Sequence, residues 1–144
     1  MKILNKNTLT LQDYYLNNKP YPHIVLRDIF DNELLDDVVD NIKRINKEED
    51  GQIWYKLCTT GNDFSKFGKG AVALTNYLIS PDWMKFISFL TGIENLKPDP
   101  DWHGAGINFE PRGSHLELHT DFNVHRTAKH LGWRRVNVLL FLSK

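Results

Sequence analysis

Apolar residues in the first fifty positions follow first a strand-like and then a helix-like pattern. Residues 21–30, YPHIVLRDIF, are rich in β-branched and aromatic side chains and predict a strand. Asp31 can then cap a helix over residues 32–47, which carry one apolar stripe at helical spacing. The stripe consists of Leu34, Leu35, Val38, Val39, Ile42 and Ile45. Its expected role is core packing.

The middle of the chain predicts one more strand and two helices. Residues 52–60 have a strand-like composition, and residues 61–70, GNDFSKFGKG, predict a loop. This loop lacks the Gly-Lys-Ser/Thr ending of a phosphate-binding loop, so a nucleotide site is not favoured. Residues 71–79 predict a helix, and Ser80 with Pro81 marks the start of another. The predicted buried face of that last helix consists of Trp83, Phe86, Ile87 and Leu90.

The last third of the chain predicts mainly strands. After a break at 97–102, strands are expected at 103–109, 115–122 and 135–143, with a loop at 123–134. Helices followed by consecutive strands are typical of the α+β class, in which helices pack against an antiparallel sheet or barrel.

Composition limits the classes of function. The 144 residues suit a single domain over 1–144, and eighteen basic against eighteen acidic residues argue against nucleic acid or an anionic membrane bound mainly by charge. No eighteen-residue apolar run and no secretory signal pattern is found, so a cytoplasmic protein without a membrane partner is expected. The single cysteine, Cys58, excludes an internal disulfide.

The stretch GSHLELHTDFNVH, residues 113–125, is the candidate for chemistry. In a strand, alternate residues share a face, which here would carry His115, Glu117, His119 and Asp121. One interpretation is a polar face toward water, with Leu116 and Leu118 toward the core. The other is a metal site, because an imidazole and a carboxylate two positions apart can reach one ion.

Residues 107–143 resemble the first half of the catalytic core of the prolyl 4-hydroxylase-like family of 2-oxoglutarate- and Fe(II)-dependent dioxygenases. Residues 21–42 also resemble the opening strand and helix of that family. The matching positions in the core are Phe109, Pro111, Gly113, His119, Asp121, Arg134, Arg135 and the run VNVLLFLS at 136–143.

The resemblance implies N-terminal helices packed on an incomplete double-stranded β-helix, the jelly-roll or cupin-like core. It implies Fe(II) and 2-oxoglutarate as cofactor and co-substrate, with ascorbate as a further candidate. His119 and Asp121 would be catalytic metal ligands, in a hydroxylation of a prolyl or amino-acid-like small molecule or peptide.

Three residues are candidates for contact with the co-substrate. Phe109 occupies a position where the family often has tyrosine. Arg135 and Asn137 share one face of the predicted strand at 135–143. A structural hydrogen bond is an equally open role for Asn137.

The sequence departs from the family after residue 143. The family has a third ligand, a histidine, and then a basic residue that binds 2-oxoglutarate, both on later strands. Arg134 and Arg135 match an earlier strand, and His125 and His130 are weak substitutes. A truncated dioxygenase domain is therefore expected, or a missing half supplied by a partner; a homo-oligomer is a further possibility. The alternatives are a non-catalytic jelly-roll binding module and a cupin-like metal protein.

Overall fold

The computed structural model describes residues 8–48, 63–99, 101–102, 105–107, 118–126 and 131–142. The chain divides into two compact units, residues 1–44 with 64–100 and residues 45–63 with 101–144. We call them the helical unit and the C-terminal unit and describe each by itself. The single domain expected over 1–144 stays a prediction.

The described residues of the helical unit form four α-helices and a short 3-10 helix. They are α1 (Thr8–Asn17), α2 (Asn32–Glu48, which continues past the unit's residue 44), the 3-10 helix Phe64–Phe67, α3 (Gly68–Leu78) and α4 (Pro81–Thr91). The predicted helices over 32–47 and from Pro81 are confirmed, and α3 begins three residues before the predicted position 71. Helix α1 lies where the apolar pattern makes no prediction. It packs on α4, where the Gln12 side-chain amide donates a hydrogen bond to the Phe89 carbonyl.

The ends of α4 follow the local signals in its sequence. The Ser80 hydroxyl accepts a hydrogen bond from the Trp83 backbone N–H at 3.3 Å, and Pro81 occupies the first turn. Such a cap satisfies an N–H that has no partner within the helix. Gly92, with φ 70°, ends the helix in the left-handed conformation that glycine adopts without a steric penalty.

The core of the helical unit is formed by side chains from every element except α1. Its buried apolar residues are Val38, Ile42, Phe64, Phe67, Ala71, Leu74, Trp83, Phe86, Ile87 and Leu90. Trp83 lies within 5.4–6.1 Å of the ring centroids of Phe30, Tyr77 and Phe86. Partial burial, with a smaller effect of the Asp82 charge, raises the pKa of Tyr77 above its usual value.

Two glycines fit α3 closely against α2. The backbone N–H of Gly70 donates to the Asp37 carboxylate at 2.6 Å, so α2 caps a helix whose own N-cap residue, Phe67, provides no side-chain bond. A Cβ at Gly70 would lie 2.6 Å from the Leu34 carbonyl oxygen. Gly68 has φ +89°. Helix packing thus explains Gly68 and Gly70, whereas Gly61 lies outside the described residues. The predicted loop at 61–70 is wrong from Phe64 onward, where the 3-10 helix and then α3 begin.

Apart from the last four residues of α2, the described regular structure of the C-terminal unit is one hairpin. Strand β1 (Val124–Arg126) pairs antiparallel with β2 (Leu131–Trp133), and His125 lies opposite Gly132. The Arg134 N–H donates to the Asn123 carbonyl at 2.8 Å and extends the pairing by one step. The predicted loop at 123–134 is therefore wrong, since both strands lie inside it.

Two predicted strands are also wrong. Residues 21–30 form no strand, because Pro22 has no N–H to donate and Asp28, with φ 57°, interrupts an extended backbone. Phe30 instead joins the aromatic contacts of the helical core. Residues 135–142 have no regular secondary structure, and most of their apolar side chains are exposed.

The predicted α+β class with a double-stranded β-helix core is contradicted, because the structure is mostly helical and its described part contains neither a barrel nor a larger sheet. An apolar, β-branched run becomes a strand only where another strand supplies ladder partners, and the described parts of 105–107, 118–122 and 135–142 pair with none. The predicted strand 52–60, most of 103–109 and residues 115–117 lie outside the described residues.

None of the helices in the described ranges combines the length and the apolar character that a membrane crossing needs.

Candidate functional site

The side chains of His119 and Asp121 lie close together in the C-terminal unit. His119 Nε2 is 3.6 Å from Asp121 Oδ1, and each side chain is about half exposed. The segment is not a paired strand, yet residues two apart lie on the same side, as the alternation in sequence predicts. Leu118, one position earlier, is fully exposed, so its predicted packing into a core is wrong.

Arg134 completes this cluster from the end of β2. Its Nη2 lies 3.7 Å from Asp121 Oδ2, while Nη1 donates to the Phe122 carbonyl at 3.4 Å. The guanidinium carbon stands 4.2 Å from the centroid of the Phe122 ring, a cation–π arrangement. The Asp121 carboxylate therefore has His119 at one oxygen and a cation at the other.

The spacing of the pair is compatible with a shared divalent ion. Donor atoms about 2.1 Å from a metal lie about 3 Å apart in neighbouring octahedral positions and about 3.4 Å apart in a tetrahedral site. The observed 3.6 Å needs a shift of only a few tenths of an ångström at two half-exposed side chains. Imidazole and carboxylate are also two of the three donors of a facial triad for Fe(II). His119 and Asp121 thus fit two of its positions.

A third donor is not placed. Within the ranges that the structure describes, no group of three His, Cys, Asp or Glu side chains could hold a metal ion. His103, His115 and His130 lie outside those ranges.

His23 has a structural role in the helical unit. Its Nδ1 lies 2.9 Å from the Tyr21 carbonyl, to which it can donate only when protonated. In the neutral ring, Nε2 then accepts from the Asn18 amide at 3.1 Å. Both ring nitrogens therefore have hydrogen-bond partners within residues 18–23.

The co-substrate candidates do not form a defined pocket. Arg135 and Asn137 are exposed, one and three residues beyond Arg134, so Asn137 is not a buried amide in need of a partner. Phe109 lies outside the described residues.

Arg134 is the site residue whose role sequence reasoning missed. Its neighbour Arg135 was the expected functional arginine, because it shares a predicted strand face with Asn137. The hairpin that ends at Trp133 places Arg134 beside Phe122 and Asp121. The sequence pattern, which predicts a strand only from residue 135, does not indicate this hairpin. The available signal was the opposite charges of Arg134 and Asp121.

In comparisons with known proteins, no protein-family model, curated protein or solved structure matched the chain. The family resemblance therefore rests on the quoted motifs alone, and functional inference rests on the His119–Asp121–Arg134 cluster.

Proposed function

We propose that the chain provides two iron ligands, His119 and Asp121, of a 2-oxoglutarate- and Fe(II)-dependent oxygenase. The observation that carries the proposal is the 3.6 Å approach of an imidazole nitrogen to a carboxylate oxygen at the His-X-Asp motif. The resemblance of residues 107–143 to the prolyl 4-hydroxylase-like core supports the choice of metal and reaction. The proposal therefore depends on the His119–Asp121 pair and not on a β-barrel core.

The two ligands have distinct tasks. His119 would bind the metal ion through the lone pair on Nε2. Asp121 would bind it through Oδ1, and the negative charge of the carboxylate would offset part of the charge of a divalent cation. When bound, Fe(II) would supply a reaction in which O2 is the oxidant: one oxygen atom would enter the substrate C–H bond as a hydroxyl group, and the other would convert 2-oxoglutarate to succinate and CO2. Half-exposed ligands leave room for a co-substrate beside the ion.

The proposed substrate is a prolyl or other amino-acid-like group, either free or in a peptide. This choice follows from the family resemblance. Arg135 and Asn137 are proposed to contact the co-substrate, since both are exposed close along the chain to Arg134, which reaches Asp121. The proposal requires a third ligand in addition to His119 and Asp121.

Anaerobic Fe(II) titration tests the metal site. The wild-type chain is expected to bind one Fe(II), and His119→Ala and Asp121→Ala should each weaken binding by about tenfold or more. Glu94→Ala, which removes an exposed acid from the helical unit, is the control and should leave Fe(II) affinity unchanged.

Addition of 2-oxoglutarate then tests the reaction class. In an oxygenase it should produce a visible absorbance band that depends on both Fe(II) and the co-substrate. Iron binding without this band would indicate a metal-binding protein of another class. The proposal is wrong if wild type binds no Fe(II), or if both alanine variants bind Fe(II) as tightly as wild type does. The pair would then be a surface contact without a metal.

A further inference from the structure

Arg134 is held by more contacts than a surface ion pair requires. Its backbone N–H pairs with Asn123, its Nη1 reaches the Phe122 carbonyl, and its guanidinium lies against the Phe122 ring. The side chain is 25% exposed, against 53% for Asp121. A planar guanidinium fixed at several points presents its remaining N–H groups in a defined direction. That direction is toward Asp121 Oδ2.

We infer that Arg134 is a positioning residue for Asp121: it engages Oδ2, so that Oδ1 alone is presented to a metal ion beside His119. This inference rests on the proposed metal site and assigns a task to a residue that does not itself touch the ion. The division of the carboxylate is visible in the two contacts, Oδ1 to His119 at 3.6 Å and Oδ2 to Arg134 at 3.7 Å.

The consequence concerns how the carboxylate binds. An unrestrained carboxylate can coordinate through one oxygen or chelate through both. A cation at Oδ2 disfavours chelation, so a coordination position that a second oxygen would fill stays open for the co-substrate. Arg134 thus favours the open geometry that an oxygenase needs.

The expected sign of the effect on affinity separates positioning from simple charge. If Arg134 acted only as a nearby positive charge, its removal would reduce repulsion and tighten metal binding. This tightening would be small, because solvent and salt screen the repulsion at this exposed site. If Arg134 orients Asp121, its removal should instead weaken metal binding by about tenfold, which is the lower end of the loss expected for residues that orient metal ligands.

Infrared difference spectra of the Co(II)-bound protein, labelled with ¹³C in its aspartate carboxylates, test the inference directly. The bands that Asp121→Asn removes belong to Asp121. In wild type, the separation between its asymmetric and symmetric stretches should be large, as in one-oxygen coordination. In Arg134→Met it should narrow as the carboxylate chelates, and Co(II) affinity should fall.

Further variants complete the design. Arg134→Lys keeps a cation that can reach Oδ2, so it should largely retain the wild-type separation. Arg134→Gln, which also removes the charge, replaces Arg134→Met if Arg134→Met does not fold. Arg27→Met removes an exposed arginine of the helical unit and should change neither the bands nor the Co(II) affinity.

The possible failures are distinguishable. An unchanged separation, or tighter Co(II) binding, in a folded Arg134→Met would overturn the role of Arg134 while leaving the metal site intact. If Arg134→Met does not fold, an unchanged separation in folded Arg134→Gln would overturn the role of Arg134 in the same way. Absence of Co(II) binding by wild type would instead overturn the metal site, and with it this inference.

Discussion

A buried apolar core is found in the helical unit but not in the described part of the C-terminal unit. In the helical unit, Trp83 is 3% exposed and contacts three aromatic rings. In the C-terminal unit, Trp133 is 72% exposed, and the described residues 138–141 are all exposed. One unit therefore has a buried core, whereas the described part of the other presents apolar and polar groups to solvent.

The difference separates the stable core of this chain from the proposed metal site. Buried apolar area and capped helix ends stabilise the helical unit. The His119–Asp121 pair, by contrast, lies among half-exposed side chains supported by one short hairpin. Polar side chains that must meet an ion gain from this exposure, because burial without a metal would impose a desolvation cost.

Matched tryptophan variants give the largest expected contrast. Trp83→Ala should lower the free energy of unfolding by about 3–5 kcal/mol, since it leaves a cavity among Phe30, Tyr77 and Phe86. Trp133→Ala should change it by less than about 0.5 kcal/mol. Urea denaturation followed by circular dichroism measures both. Equal losses would mean that the two units do not differ as described.

Matched glycine variants give a smaller contrast. Gly70→Ala should cost about 1–3 kcal/mol, because its Cβ would meet the Leu34 carbonyl oxygen and the Asp37 carboxylate. A Cβ at Gly132 in β2 would meet nothing within 4 Å, so Gly132→Ala should be nearly neutral. The same denaturation assay applies. A neutral Gly70→Ala would contradict the close packing of α2 on α3.

Local signals explain why α2 and α4 could be predicted. Ser80, Pro81 and the apolar spacing of α4 act within a few residues of one another, as do Asp31 and the stripe of α2. The contact of Asp37 with Gly70 joins residues 33 positions apart. A sequence pattern carries no direct record of such a contact, so the reason for the glycines became clear only in the structure.

The strands and the site show what the pattern of apolar and polar residues could not predict. Residues 21–30 and 135–142 have strand-like composition, but strand formation depends on partners distant in sequence. Because His119 and Asp121 are only two residues apart, their approach could be predicted. Arg134 could not be assigned, because its position depends on the register of a hairpin predicted as a loop.

The most direct test compares His119 with His23 during Zn(II) titration, using ¹⁵N NMR of the imidazole nitrogens. Zn(II) takes the same imidazole and carboxylate donors as Fe(II) and is stable in air. The account predicts a large coordination shift at His119 Nε2 that Asp121→Asn strongly reduces. His23 Nε2, which accepts from Asn18, should keep its shift. No coordination shift at His119, or equal shifts at both histidines, would contradict the proposed metal site.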